Sequence, residues 1–167
     1  MSIFPTKILL ATDGSEEAEQ GALRAVDLAN RTDSELHVVH VGVVPSFLMS
    51  YPGALGYDRM LYEEIEEESR ALLRKLSWRV KAAGGTVAGA HLRMGAVELE
   101  IVALAKELGV DLIVMGCRGH RGRRRAIEGS ISDAVIRHAP CPVLVVRSHE
   151  ESAEAPERSA LLQGGSR

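Results

Sequence analysis

The chain has 167 residues, with 20 Lys or Arg against 23 Asp or Glu for a formal net charge of −3; 46% of it is hydrophobic and 4% aromatic. That length suits one domain with a real core; no apolar run approaches the ~20 residues of a membrane span, and Met1–Ala11, broken by Pro5 and Lys7, is no signal peptide. Two cysteines, Cys117 and Cys141, make no disulfide framework and suit the reducing cytoplasm, and the slightly acidic balance argues against a general nucleic-acid or membrane binder.

Lys7–Thr12 opens the chain as an apolar strand and leads into Asp13-Gly14-Ser15. Ser15–Asn30 then carries Ala18, Ala22, Ala25, Val26 and Ala29 on one side, with Ser15 as its N-cap. Glu35–Val41 is a second strand. The stretch Gly42–Tyr57, with Pro45, Pro52, Gly53 and Gly56 around Phe47, Leu48 and Met49, leaves three alternatives open: a lid, a partner contact, or a loop without a specific role. Asp58–Ala83 follows as a helix striped by Leu61, Ile65, Leu72, Leu76 and Val80, ending at Gly84-Gly85. Thr86–Leu92 is a third strand. Ala96–Leu108 is a helix striped by Val97, Ile101, Ala105 and Leu108, with Gly109 as its C′ residue. Leu112–Met115 is a fourth strand, Ser130–Ala139 a helix with Ile131, Ala134, Val135 and His138 on its apolar side, stopped by Pro140, and Val143–Arg147 a fifth strand. Strands alternating with helices indicate βαβ units and a parallel sheet covered on both faces. The pattern predicts one domain over 1–148, followed by a solvated tail, 149–167, without an apolar stripe. The acids Glu150, Glu151, Glu154 and Glu157 outnumber Arg158 and Arg167 there, so the rest of the chain is close to neutral.

Open α/β sheets bind ligands beyond the carboxyl ends of the strands, where the winding reverses. Two strand ends here have suitable turns: Ala11-Thr12-Asp13-Gly14-Ser15 and Met115-Gly116-Cys117-Arg118-Gly119. The second continues as Gly116-x2-Gly119-x9-Gly129-Ser130, where Ser130 opens the last helix. Glycines let the backbone approach a ligand closely, and helix-start N–H groups, helped by the Ser130 and Ser132 hydroxyls, suit an anion. Between the glycines lie Arg118, Arg121, Arg123, Arg124 and Arg125, whose guanidinium forks match phosphate oxygens. The spacing is neither that of a P-loop nor that of a dinucleotide-binding Rossmann turn.

In order and spacing, Ile8-Leu9-Leu10-Ala11-Thr12-Asp13-Gly14-Ser15, Asp111-Leu112-Ile113-Val114-Met115-Gly116, the glycine motif and Ala139-Pro140-Cys141-Pro142-Val143-Leu144-Val145-Val146-Arg147 resemble the universal stress protein family. The resemblance spans about residues 3–147. It implies a Rossmann-like, adenine nucleotide alpha-hydrolase-like fold: an open five-stranded parallel sheet in the order 3-2-1-4-5. It also implies a homodimer through the Val143–Arg147 strand. Because the glycine motif is whole, the resemblance is to the ATP-binding branch of the family. By position, Ala11, Thr12 and Asp13 would then meet the adenosine part, and Val41 would offer backbone hydrogen bonds to adenine. Met115, Gly116, Arg118, Gly119, Arg121, Arg125, Gly129, Ser130, Ile131 and Ser132 would line ribose and phosphates. Mg²⁺ would sit between the phosphates and Asp13. Two departures are Arg123-Arg124, which add charge, and Glu128, where the family has a large apolar residue; Glu128 either pairs with an arginine or repels phosphate.

The resulting expectation is a cytoplasmic protein that binds ATP or another adenine nucleotide and acts on a protein partner as a stress-response regulator. No Ser-His-Asp or Cys-His set, carboxylate pair or metal cluster stands beside the motif, which argues against rapid catalysis. The alternatives are a slow ATPase, or a phosphoryl or nucleotidyl transferase, using the arginines to stabilise developing charge, and a nucleic-acid module, which would lack stacking aromatics. Asp13 has a simpler role available, holding the turn at Ser15. His37 and His40 point to opposite faces of their strand and share no metal. Cys117 and His120 lack a second ligand pair for zinc, and Cys141, between two prolines, reads as a small buried hydrophobe rather than a nucleophile.

Overall fold

A computed structural model of the chain describes residues 5–45, 57–117 and 131–147. Within them the order is β1 (Lys7–Ala11), α1 (Glu16–Thr32), β2 (Glu35–Gly42), α2 (Tyr57–Ala82), β3 (Val87–Met94), α3 (Val97–Leu108), β4 (Leu112–Gly116), α4 (Ile131–His138) and β5 (Val143–Val146). All strands are parallel, and the sheet order is β3-β2-β1-β4-β5.

Strand alternation divides the core into two. Ile8 and Leu10 of β1, Leu36 and Val38 of β2 and Val114 of β4 pack with Ala25, Val26 and Ala29 of α1 and with Leu73 and Val80 of α2. The other parity, Leu9, Ala11, Val39, Val41, Ile113 and Met115, packs with Ile101, Leu104 and Ala105 of α3 and with Val135 of α4. The central strand is covered on both faces, and Ile8, Leu9 and Leu10 are fully buried. This is why β1 reads as an unbroken apolar run.

Capping follows local chemistry. The Ser15 hydroxyl accepts the Ala18 N–H at 3.3 Å, as expected of an N-cap. α1 runs to Thr32, past the expected Asn30, because Asp33 adopts a left-handed conformation (φ 55°) and its N–H caps the Ala29 carbonyl. α3 ends at Gly109 (φ 59°), as its sequence indicated. β3 extends two residues beyond the expected Leu92, and its pairing with β2 shifts by one residue: Leu36 faces Val87, yet His37 faces Gly89. Among the described residues no helix is long and apolar enough to cross a membrane.

The α4 apolar side needs one correction. Val135 is buried, but His138 is exposed, and its Nδ1–H donates to the Ala134 carbonyl at 2.8 Å. A basic imidazole in the last turn satisfies a helix-end carbonyl instead of packing in the core.

Candidate functional site

The strand order sets the carboxyl ends of β1 and β4 side by side, with Ala11 opposite Met115 as their last pair. β2 flanks β1 on the other side. This is where the winding reverses and a crevice opens.

On the β1 side the backbone is fastened residue by residue. The Thr12 N–H donates to the Val39 carbonyl at 3.1 Å, and the Thr12 carbonyl lies 3.0 Å from His40 Nδ1. A carbonyl only accepts, so Nδ1 carries the proton. Gly14 turns with φ +79°, and its N–H donates to Thr12 Oγ1 at 3.3 Å. The Ser15 N–H donates to Asp13 Oδ1 at 3.0 Å. Asp13 therefore does hold the turn, and the same bond fixes its carboxylate at the head of the crevice. Leu72 of α2 packs beneath: a Cβ on Gly14 would lie 3.2 Å from Leu72 Cδ1.

β2 outlasts β1. Its last partner there is Val39, opposite Ala11, and Val39 directs its carbonyl to Thr12. Peptide groups two residues apart in a strand point the same way. The N–H and C=O of Val41 therefore face the crevice beyond the end of the β1–β2 ladder.

On the β4 side, the Met115 side chain is buried in the α3–α4 core, so only its backbone is left for a ligand. The Cys117 N–H donates to the Val146 carbonyl at 2.8 Å, extending the β4–β5 ladder by one rung. The Cys117 carbonyl accepts the Ser132 hydroxyl at 3.4 Å, which brings the first turn of α4 to the end of β4. Ser132 is buried, and Ile131 packs partly against the core. α1 crosses close above: a Cβ on Gly21 would stand 3.6 Å from the Gly116 nitrogen.

Of the residues singled out from sequence, Ala11, Thr12, Asp13, Val41, Met115, Gly116, Ile131 and Ser132 lie on elements that end around this crevice. Arg118, Gly119, Arg121, Arg125, Gly129 and Ser130 lie outside the described residues, as does most of the Gly42–Tyr57 stretch and the 149–167 tail. Sequence reasoning missed His40 at this site and named Gly14 only as part of the turn after the first strand. Neither belongs to the glycine motif, and only the β1–β2 pairing shows that His40 reaches the end of β1. Cys141 packs partly buried against the α3–α4 core, and burial raises its thiol above the ordinary range, with Asp111 adding to the effect. That suits a packing role.

Likeness to known proteins places this arrangement. The model of the universal stress protein family matches residues 5–147. A Staphylococcus haemolyticus protein named for that family is 41% identical over 144 residues, covering 86% of this chain and 85% of its own. The universal stress protein UspA from Lactobacillus plantarum superposes with a TM-score of 0.75 at 25% identity, over 87% of this chain and 100% of its own. A universal stress protein solved in complex with cAMP matches the fold with a TM-score of 0.63 at 24% identity, over 85% of this chain and 97% of its own. The chain belongs to the universal stress protein family.

Proposed function

We propose that the protein binds an adenine nucleotide, ATP foremost, in the crevice between the ends of β1 and β4, and that the bound nucleotide governs its contact with a regulatory partner. The observation that carries this reading is the tie between Ser132 and the Cys117 carbonyl. It holds the first turn of α4 against the end of β4, the two elements that the glycine motif joins in sequence. The donor set fits an adenosine phosphate. Val41 would present an N–H and a C=O to the adenine edge, and Asp13 would lie beside the ribose and any phosphate-bound Mg²⁺. The hydroxyls of Ser130 and Ser132 and the arginines of the loop would meet the phosphates. The cAMP complex of a fold relative supports the ligand class.

Bound Mg²⁺ would supply charge neutralisation of the phosphates. This chain's own residues bind and orient. In this reading the nucleotide acts by occupancy, as a switch, rather than by fast turnover. The exposed side of β5 would pair with a second copy to give a homodimer. Isothermal titration with ATP, ADP, AMP and cAMP tests the reading, alongside mass spectrometry of the nucleotide co-purifying with the protein. Binding of at least one adenine nucleotide, lost on Gly129→Val with the fold intact, is expected. Absence of binding to all four overturns it.

A further inference from the structure

The sheet carries a second polar cluster, near the amino end of β2 and away from the crevice. His37 and Val41 are four residues apart, so it lies about 13 Å along the strand from the Val41 peptide groups. In the β2–β3 pairing, His37 faces Gly89 and Val39 faces His91. His37 and His91 are thus diagonal neighbours on one face of the sheet, within reach of each other. Their rings are joined by a hydrogen bond between His37 Nδ1 and His91 Nε2 at 3.1 Å, one nitrogen donating and the other accepting, with ring centroids 5.3 Å apart.

Three features bear on whether this pair could hold a metal ion. First, Gly89 leaves room for it: a Cβ there would stand 2.7 Å from His37 Nδ1 and 2.8 Å from His91 Nε2. Those are the two nitrogens that face each other. Second, Glu35 Oε2 lies 3.5 Å from His37 Nε2. A carboxylate holding the far nitrogen as N–H leaves the lone pair on Nδ1, the arrangement that supports metal-bound imidazoles. Third, the charges beside the pair are already matched with one another: Glu107 of α3 pairs with Arg93, and Glu35 with Lys7 at 3.8 Å. An ion would replace the hydrogen bond between the rings, and the proton of that bond would pass to the other nitrogen of its own ring or to solvent.

We propose that His37 and His91 bind one divalent transition-metal ion of the Zn²⁺ or Cu²⁺ class through Nδ1 and Nε2. With metal–nitrogen bonds of about 2.0–2.1 Å, nitrogens at the observed spacing subtend an angle of roughly 100° at the ion. That suits cis positions in a tetrahedral or tetragonal site. Among the described residues no group of three or more His, Cys, Asp or Glu side chains gathers around a metal position, so the remaining positions fall to water or an incoming ligand. Nitrogen donors favour these ions over Mg²⁺.

The test is Zn²⁺ titration of the nucleotide-free full chain at pH 7.5, by calorimetry and by thermal melting. Leaving nucleotide out separates this site from any metal carried by phosphates. The expected result is one ion per chain, a rise in Tm, and affinity at least about tenfold weaker in His91→Gln and in Gly89→Ala. His37 is almost wholly buried, so its variant is replaced by Gly89→Ala, which displaces the rings without removing either. His120→Gln/His149→Gln, which removes two histidines that are not members of the pair, should bind Zn²⁺ as the parent does. Parental affinity in both His91→Gln and Gly89→Ala overturns the proposal, and so does loss of binding in the double variant alone.

Discussion

His40 and Thr12 join the second strand to the last turn of the first: the imidazole Nδ1–H points at the Thr12 carbonyl from 3.0 Å, and both residues are buried. An unsatisfied buried carbonyl costs about 1–3 kcal/mol. His40→Ala should therefore lower stability by about that amount in urea denaturation. It should also raise the Kd for ATP, by about three- to tenfold, as the Thr12–Asp13 segment loosens.

Gly14 tests the same turn from its other end. Its φ of +79° and the proximity of Leu72 disfavour any side chain there. Gly14→Ala should cost about 1–2 kcal/mol and should weaken nucleotide binding more than an equally destabilising core substitution such as Leu104→Val. Paired denaturation and titration measurements separate the two effects.

Asp111 anchors the start of β1 to the entry of β4. Its Oδ2 accepts the Thr6 hydroxyl at 2.7 Å, the Thr6 N–H at 3.0 Å and the Lys7 N–H at 3.1 Å. The Thr6 hydroxyl bond is the largest of the influences that hold its carboxyl below the usual range. A lowered carboxyl pKa stabilises the fold fully above the ordinary value of 3.8, and that contribution is lost as pH falls through the folded-state value. Asp111→Asn should then be less stable than the parent from pH 5 to 8, with the gap closing below about pH 3.8. Acid titration followed by circular dichroism reads the gap directly.

β5 ends the sheet, and Leu144 is 37% exposed on it. If a second copy pairs there, Leu144→Asp places a carboxylate in an apolar strand contact and should give a monomer by sedimentation velocity. The crevice lies at the opposite side of β4, so ATP binding should persist. A parent that is already monomeric refutes the dimer.

Much of this architecture can be read from the residues themselves. The apolar run Ile8–Leu10 declares a strand covered on both faces, and Ser15 and Gly109 mark helix ends by side-chain and backbone chemistry that act locally. The strand ends that build the crevice are legible for the same reason. What is not legible depends on pairing between distant strands. His40 shows its role only when Thr12 is placed beside it, and His37 shows its partner only when His91 is brought across from β3. His138 illustrates the converse: helical spacing put it on the apolar side, but its Nδ1–H donates to a carbonyl in the last turn of α4.

The shift in register between β2 and β3 has a consequence for insertions and deletions. Side chains alternate with period two along a strand, so one extra residue exchanges the faces. Val87 and Leu92 are an odd number of residues apart, yet both pack on the α1–α2 side. The extra residue, Ala88, is what reconciles them, with Gly89 opposite His37. Deleting Ala88 would therefore only regularise the ladder: Gly89 would follow Val87 directly, still opposite His37, and His91 would keep its place beside Val39. One residue added or removed between Gly89 and His91 would instead turn the second imidazole to the other face, so homologues that keep both histidines should differ in metal affinity according to whether they keep that spacing.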